Sequence, residues 1–250
     1  MPEVGGGLLL VLAEPREGMD EEFERWYEDE HLYERCAIEG FTVARRYIAI
    51  EGRPRSIALY EAKRAEDIGG EAYERARKHE ADSRVAENEA RAAGSRSGAS
   101  RPPILDSSQR MDFSRHEHAL VQSVGRHPGE MGAFIWMVRE QTDAEHDAQL
   151  NDWYAHEHLP AVTAIGQVRG VKRYRARTDA PTYLTLYELA TAGVVKSDAW
   201  KRAFETPSAA ALRPHVTNIS THLAQFFKVV DHEDATREMA ERLSDWSERP

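Results

Sequence analysis

Trp26-Tyr27-Glu28-Asp29-Glu30-His31-Leu32 returns later in the chain as Trp153-Tyr154-Ala155-His156-Glu157-His158-Leu159. Both copies read W-Y-x-x-E-H-L, and position 26 becomes position 153, an offset of 127 residues. The same offset carries Ile38 onto Ile165, Arg46-Tyr47 onto Arg173-Tyr174 and Tyr60-Glu61 onto Tyr187-Glu188, without a gap. So many matches in one register read as a duplication of one unit of roughly 110–125 residues, an ordinary domain size.

Working outward from the motif gives the same order of elements twice. In the first copy Gly7–Ala13 is apolar enough for a buried strand, and Asp20 is a fitting N-cap for the helix that carries the motif. Phe23, Trp26, Tyr27, Glu30, His31 and Glu34 fall on one face of that helix at three-and-four spacing. Phe41–Ile50 and Ser56–Glu61 read as a strand pair, Glu71 to about Ala92 as a charged second helix, and His116–Val124 as a fourth strand. The second copy offers strands at Ala133–Arg139, Val171–Arg177, Thr182–Leu189 and Ile219–Val230. Its second helix starts at Ser197–Phe204 and is interrupted by Pro207 and Pro214. Glu233–Glu248 is an extra helix with Ala235, Met239, Leu243 and Trp246 on one stripe.

The fold expected is therefore α+β: two tandem ferredoxin-like β-α-β-β-α-β units. Each unit leaves one sheet face open, and two can bury those faces together as an intrachain pseudo-twofold α+β barrel. The boundaries expected are 1–126, with a mobile loop at about 93–112, then 130–230, then a C-terminal helix over 231–250. Two independent domains would need a longer linker than His127–Glu130.

Charge and composition narrow the function classes. A formal net charge of −10 disfavours a general nucleic-acid binder, which needs a basic stripe. The longest early apolar run, Leu8–Ala13, is too short to span a bilayer, and no basic leader precedes it. The single cysteine, Cys36, forms no internal disulfide and fits a reducing, cytoplasmic setting. The sequence contains no G-x-G-x-x-G, P-loop, G-x-S-x-G or zinc-type cysteine pairs.

W-Y-x-x-E-H-L-(P), a glycine-containing segment, R-Y and later Y-E resemble the EthD-like branch of the dimeric α+β barrel proteins. The second copy fits better, with Pro160 after Leu159 and then Arg169-Gly170-Val171-Lys172-Arg173-Tyr174; the first has Tyr33 where Pro160 stands. Similar barrels include polyketide cyclases, decarboxylases, muconolactone isomerases, cofactor-free monooxygenases and haem proteins, so the resemblance implies a fold more than a reaction.

Candidate chemistry sits in three places. His31 and His158, each four residues after Tyr27 or Tyr154, are acid/base candidates at a pocket wall formed also by Trp26 and Trp153. The competing reading is architectural, with Glu and His tying the helix end to a strand and Trp filling the core. His118 and His222 hold similar places on the closing strands and are candidate second proton carriers; His116 shares a face with His118. Arg46-Tyr47 and Arg173-Tyr174 alternate faces, so either a phenol or a guanidinium points into the barrel; Tyr60 and Tyr187 carry the same ambiguity. A His-x-His metal site at 116 and 118 lacks a further ligand at a recognisable spacing.

The leading expectation is a cofactor-independent lyase, isomerase or cyclase acting on a small aromatic or polyketide-like compound. In it His158 is the general base or acid, Tyr154 or Tyr174 stabilises oxygen, and His222, His118 or His31 carries a second proton. Trp153, Trp26, Tyr27, Arg173, Tyr187 and Tyr60 would contact substrate. The alternatives are a non-catalytic carrier of a hydrophobic small molecule and a haem- or metal-dependent barrel enzyme. Neither nucleic acid nor membrane is expected as partner, and the chain would be a monomeric pseudo-dimer or a homodimer.

Overall fold

In the computed structural model, residues 6–95, 104–125 and 132–247 are described. Eight strands form a closed, wholly antiparallel barrel: β1 (Gly7–Pro15), β2 (Phe41–Glu51), β3 (Ser56–Ala62), β4 (Met111–Gly125), β5 (Phe134–Thr142), β6 (Val168–Ala176), β7 (Thr182–Leu189) and β8 (Val216–Asp231). Their order around the barrel is β1-β3-β2-β8-β5-β7-β6-β4. β2 pairs with β8 and β4 with β6, and these two seams join the halves. Leu10 faces Leu59 across β1 and β3, and Met137 faces Leu186 across β5 and β7, so residues 127 apart occupy matching places.

Strand alternation decides what each residue meets. The inward set, among them Leu8, Leu10, Leu12, Leu59, Met137 and Leu186, forms one buried cluster that fills the barrel. The outward set packs under the helices in two further clusters, one per half. In the first half these helices are α1 (Asp20–Trp26), a π turn (Tyr27–His31), α2 (Leu32–Cys36) and the long α3 (Glu71–Ser95). A short α4 (Ser107–Arg110) precedes β4. The second half has α5 (Asp147–Trp153), a π turn (Tyr154–His158), α6 (Leu159–Thr163), α7 (Asp198–Phe204) and α8 (Pro207–Leu212); α9 (His232–Ser247) follows β8. No described helix is long and apolar enough to cross a membrane.

Several sequence expectations change. Glu30 and Glu157, placed on the buried helix face, are exposed, whereas His31 and His158 are buried. The reason is the π turn: Leu32 N–H bonds Tyr27 O and Leu159 N–H bonds Tyr154 O, five residues back, so one extra residue is accommodated and the face rotates. Part of the stretch expected as a loop over about 93–112 is regular structure. Asp106 caps α4 in a reciprocal box with Gln109, Asn88 clamps both backbone groups of Ile104 (2.7 and 3.0 Å), and β4 begins at Met111. The rest of that loop, 96–103, and the joint His127–Glu130 lie outside the described residues, as do the side chains of Leu243 and Trp246. On the C-terminal helix Ala235 is fully buried, as its stripe suggests.

The repeated Y-E and R-Y pairs now have a physical reading. Tyr60 and Tyr187 lie outward under the helices, while Glu61 and Glu188 lie inward. There Arg45 Nη1 meets Glu61 (3.0 Å) and Glu188 (3.5 Å), and Lys172 Nζ meets Glu61 (2.9 Å). Tyr47 and Tyr174 are inward as well; Arg46 and Arg173 are outward, yet almost fully buried. Of the two residues in each R-Y pair it is thus the phenol that points into the barrel. Buried guanidinium needs compensation, and the halves supply it differently. Arg46 pairs with Glu24 (2.6 Å) on the motif helix and lies over the rings of Phe23 and Tyr27. Arg173 lies between the rings of Tyr154 and Tyr183, with its cation-to-centroid distances 4.0 and 3.8 Å. Burial raises the carboxyl pKa of the nearby Glu140 on β5, against smaller downward pulls from the Tyr154 hydroxyl and the Arg173 charge.

Candidate functional site

His158 is held at both nitrogens. Its Nδ1–H donates to Ala203 O (2.9 Å) and its Nε2 accepts from the Tyr187 hydroxyl (2.8 Å). Trp153 stacks on the ring at 4.6 Å between centroids, and Phe204 stands edge-on at 4.3 Å. Burial holds its pKa down at about 4. The carbonyl of Ala203 is free to accept because the residue four places on is Pro207, which has no N–H to offer it, and α7 stops at Phe204. Both ring nitrogens of this motif histidine are thus engaged within the fold.

His31, its counterpart, has no such tie. The position matching Ala203 is Ala76, inside the unbroken α3, where the helix's own backbone uses the carbonyl. Position 77 is Arg77 where the second half has Phe204, and position 73 is Tyr73 where it has Trp200. With the Phe absent, a cavity of about 260 Å³ opens between the outer sheet face and α3. Leu9, Val11, Tyr60 and Met111 line the sheet side, and Tyr73, Arg77, Glu80 and Arg84 line the α3 side. His31 and Arg35 enter from the motif helix, and Phe113 and Arg115 from β4.

Within this cavity His31 Nδ1 is buried without a hydrogen-bond partner; the Glu34 carboxylate is 3.9 Å away. Trp26 stacks on the imidazole at 4.2 Å and Tyr27 stands edge-on at 5.2 Å. Burial lowers the His31 pKa against a smaller upward pull from Glu34, so the ring is neutral at neutral pH. Tyr60 donates to the Tyr27 hydroxyl at 3.4 Å, and burial pushes its phenol well above the ordinary value, so it remains a proton donor. Arg115 has a buried Nε without a partner, lies 5.0 Å over the Tyr73 ring and pairs with no carboxylate among the described residues. Arg35 is bound to Glu80.

The other sequence candidates are dispersed. His118 and His222 face the barrel interior, paired across from Leu8 and Met137. The sheet therefore separates them from both motif histidines, and the shared pocket expected from the sequence does not form. By register His222 matches His116, which pairs with Leu10, rather than His118. His118 Nδ1–H donates to His116 O (3.1 Å) and His222 Nε2–H to Arg53 O (2.8 Å). His116 is half-buried and meets Arg139 at 3.1 Å. Tyr174 lies in the filled barrel, Tyr187 on His158, and Arg173 and Tyr154 under the second motif helix. Cys36 packs in the core, its thiol pushed up to about 12 by burial.

Of groups able to hold a cation here, His31, Glu34 and Glu80 bring one ligand atom each within 4.8 Å of one another. The Arg35 guanidinium already occupies Glu80, and its charge opposes a cation. In the second half Trp200 and Phe204 fill the space that the cavity occupies in the first. The sequence reasoning missed Arg35, Tyr73, Glu80 and Arg115. Two exchanges at the 127 offset carried the signal: Arg77 against Phe204 and Glu80 against Pro207.

Searches with protein-family models and against curated proteins found no match. Solved structures do match. A protein provisionally described as a monooxygenase from Fusobacterium nucleatum subsp. nucleatum aligns with a TM-score of 0.57 at 8% identity, over 91% of this chain and 94% of that one. A mutant chlorite dismutase from Candidatus Nitrospira defluvii in complex with cyanide gives 0.56 at 10%, over 94% and 95%. An anthrone oxidase-like protein gives 0.55 at 10%, over 92% and 94%. At such identities the likeness concerns the fold alone.

Proposed function

We propose that the chain is a cofactor-independent enzyme that removes a proton from a small aromatic or polyketide-like compound bearing an anionic group. On this reading the two halves are tandem EthD-like, ferredoxin-like units, of which the first is chemical and the second architectural. The observation that carries it is the contrast between the twin histidines: His158 is bound at both nitrogens, whereas His31 leaves a buried Nδ1 unpartnered beside a cavity.

The neutral His31 takes a proton from carbon next to a carbonyl or phenol, and the electron pair moves to the oxygen as an enolate or phenolate. Tyr60 and Arg115 line the same space and stabilise that oxygen or the substrate's carboxylate. Ring closure and reaction with dioxygen both begin from such a carbanion, and the second agrees with the names monooxygenase and anthrone oxidase-like given to two of the shape-related proteins. The polar lining argues against a mere carrier of hydrophobic compounds.

The test is solvent-deuterium incorporation, followed by mass spectrometry, into a panel of anthrones, carboxylated phenols and aromatic β-keto acids. His31→Gln is expected to slow enzyme-dependent exchange by about 10²-fold or more. Arg115→Leu is expected to raise KM for the anionic compounds with a smaller effect on kcat. Wild-type exchange in His31→Gln would overturn the assignment.

A further inference from the structure

At the far end of the second half, Asp143, His146 and His215 converge. We propose that they form a binding site for a divalent transition-metal ion of the zinc type, independent of the cavity around His31. His146 Nδ1 lies 2.7 Å from Asp143 Oδ1, and His215 Nδ1 lies 3.2 Å from Asp143 Oδ2. The two imidazoles stack with centroids 3.4 Å apart and planes 14° from parallel, so both Nδ1 atoms are turned to one carboxylate. All three ligand atoms lie within 4.8 Å of one another.

Two imidazoles and a carboxylate, with a fourth position left to water, are a usual donor set for zinc. Tetrahedral bonds of about 2.0–2.1 Å put neighbouring ligand atoms about 3.3 Å apart, close to the spacing found here, and binding would turn the two stacked rings so that both planes meet at the ion.

The backbone holds this arrangement in place. Thr142 pairs with Val216 across β5 and β8, which brings residues 143 and 215 side by side as the strands end. The buried Thr142 donates its hydroxyl to His215 O (3.1 Å). Asp143 Oδ1 also accepts the His146 N–H (2.9 Å), fixing the turn that enters α5. The first half has no such set: the positions matching Asp143 and His146 are Arg16 and Met19, and Arg16 pairs with Asp112 instead. A bound ion would fasten the start of the second motif helix to the start of β8.

The test uses tag-free, chelator-stripped full-length protein titrated with zinc by calorimetry and with cobalt(II) by visible absorption. One zinc per chain is expected, together with a zinc-dependent rise in Tm. His146→Ala, His215→Ala and Asp143→Asn should each weaken zinc binding by about tenfold or more, since losing a ligand costs at least as much as losing its support. Glu80→Gln should bind as wild type. Absence of a stoichiometric site, or affinity unchanged in both His146→Ala and His215→Ala, would overturn the proposal, as would loss of the site in Glu80→Gln.

Discussion

Replacing His158 by glutamine should make the protein less sensitive to acid. In the native chain the imidazole donates to Ala203 O and accepts from Tyr187, among Trp153, Tyr154 and Phe204. Adding a proton at Nε2 would break the bond from Tyr187 and place a charge among aromatic rings. The folded pKa of about 4 lies below the unfolded value of about 6.5. The neutral ring therefore contributes its full stability above about pH 6.5, and that contribution is lost as pH falls toward 4. At pH 4.5 the loss comes to about 2.5 kcal/mol for this residue alone. His158→Gln forgoes a native hydrogen bond at pH 7, costing about 1 kcal/mol, but takes up no proton in the unfolded chain. Urea unfolding of both proteins at pH 7 and pH 4.5 checks this: wild type is more stable at the higher pH, and the order closes or inverts at the lower. A difference that is equal at the two pH values would refute the argument.

Trp200→Ala should hollow the second half where the first is already open, because Trp200 lies 5.2 Å from both Tyr187 and Phe204 between ring centroids. The expected cost is about 3–5 kcal/mol in chemical denaturation; a cost below about 1 kcal/mol would mean that the site is not tightly packed. Gly7→Ala would bring a methyl within 2.8 Å of Ala65 Cα and Arg64 O, backbone atoms that cannot turn aside. A loss of about 1–3 kcal/mol is expected from overpacking, and unchanged urea stability would contradict so close an approach of β1 to that loop.

The repeat, the alternation of strands and the positions of most helices were legible in the sequence because they rest on local periodicity and on identity at one offset. Glu30 and Glu157 were misplaced because a π turn differs from an α turn by one hydrogen bond that no side-chain spacing announces. His118 and His222 were grouped with the motif histidines because alternation gives the two faces of a strand but not which face is the barrel's. Strand register decided that, through pairs such as Leu8 with His118.

By itself, then, the sequence determined that W-Y-x-x-E-H-L occurs twice at one offset, with Trp, Tyr, Glu and His in both copies. Only the tertiary structure separated the two histidines. The break before Pro207 frees a carbonyl that captures His158, while the unbroken α3 leaves none for His31. That difference arises some 45 residues from the motif, and it acts through a helix's hydrogen-bonding needs and the size of one facing side chain.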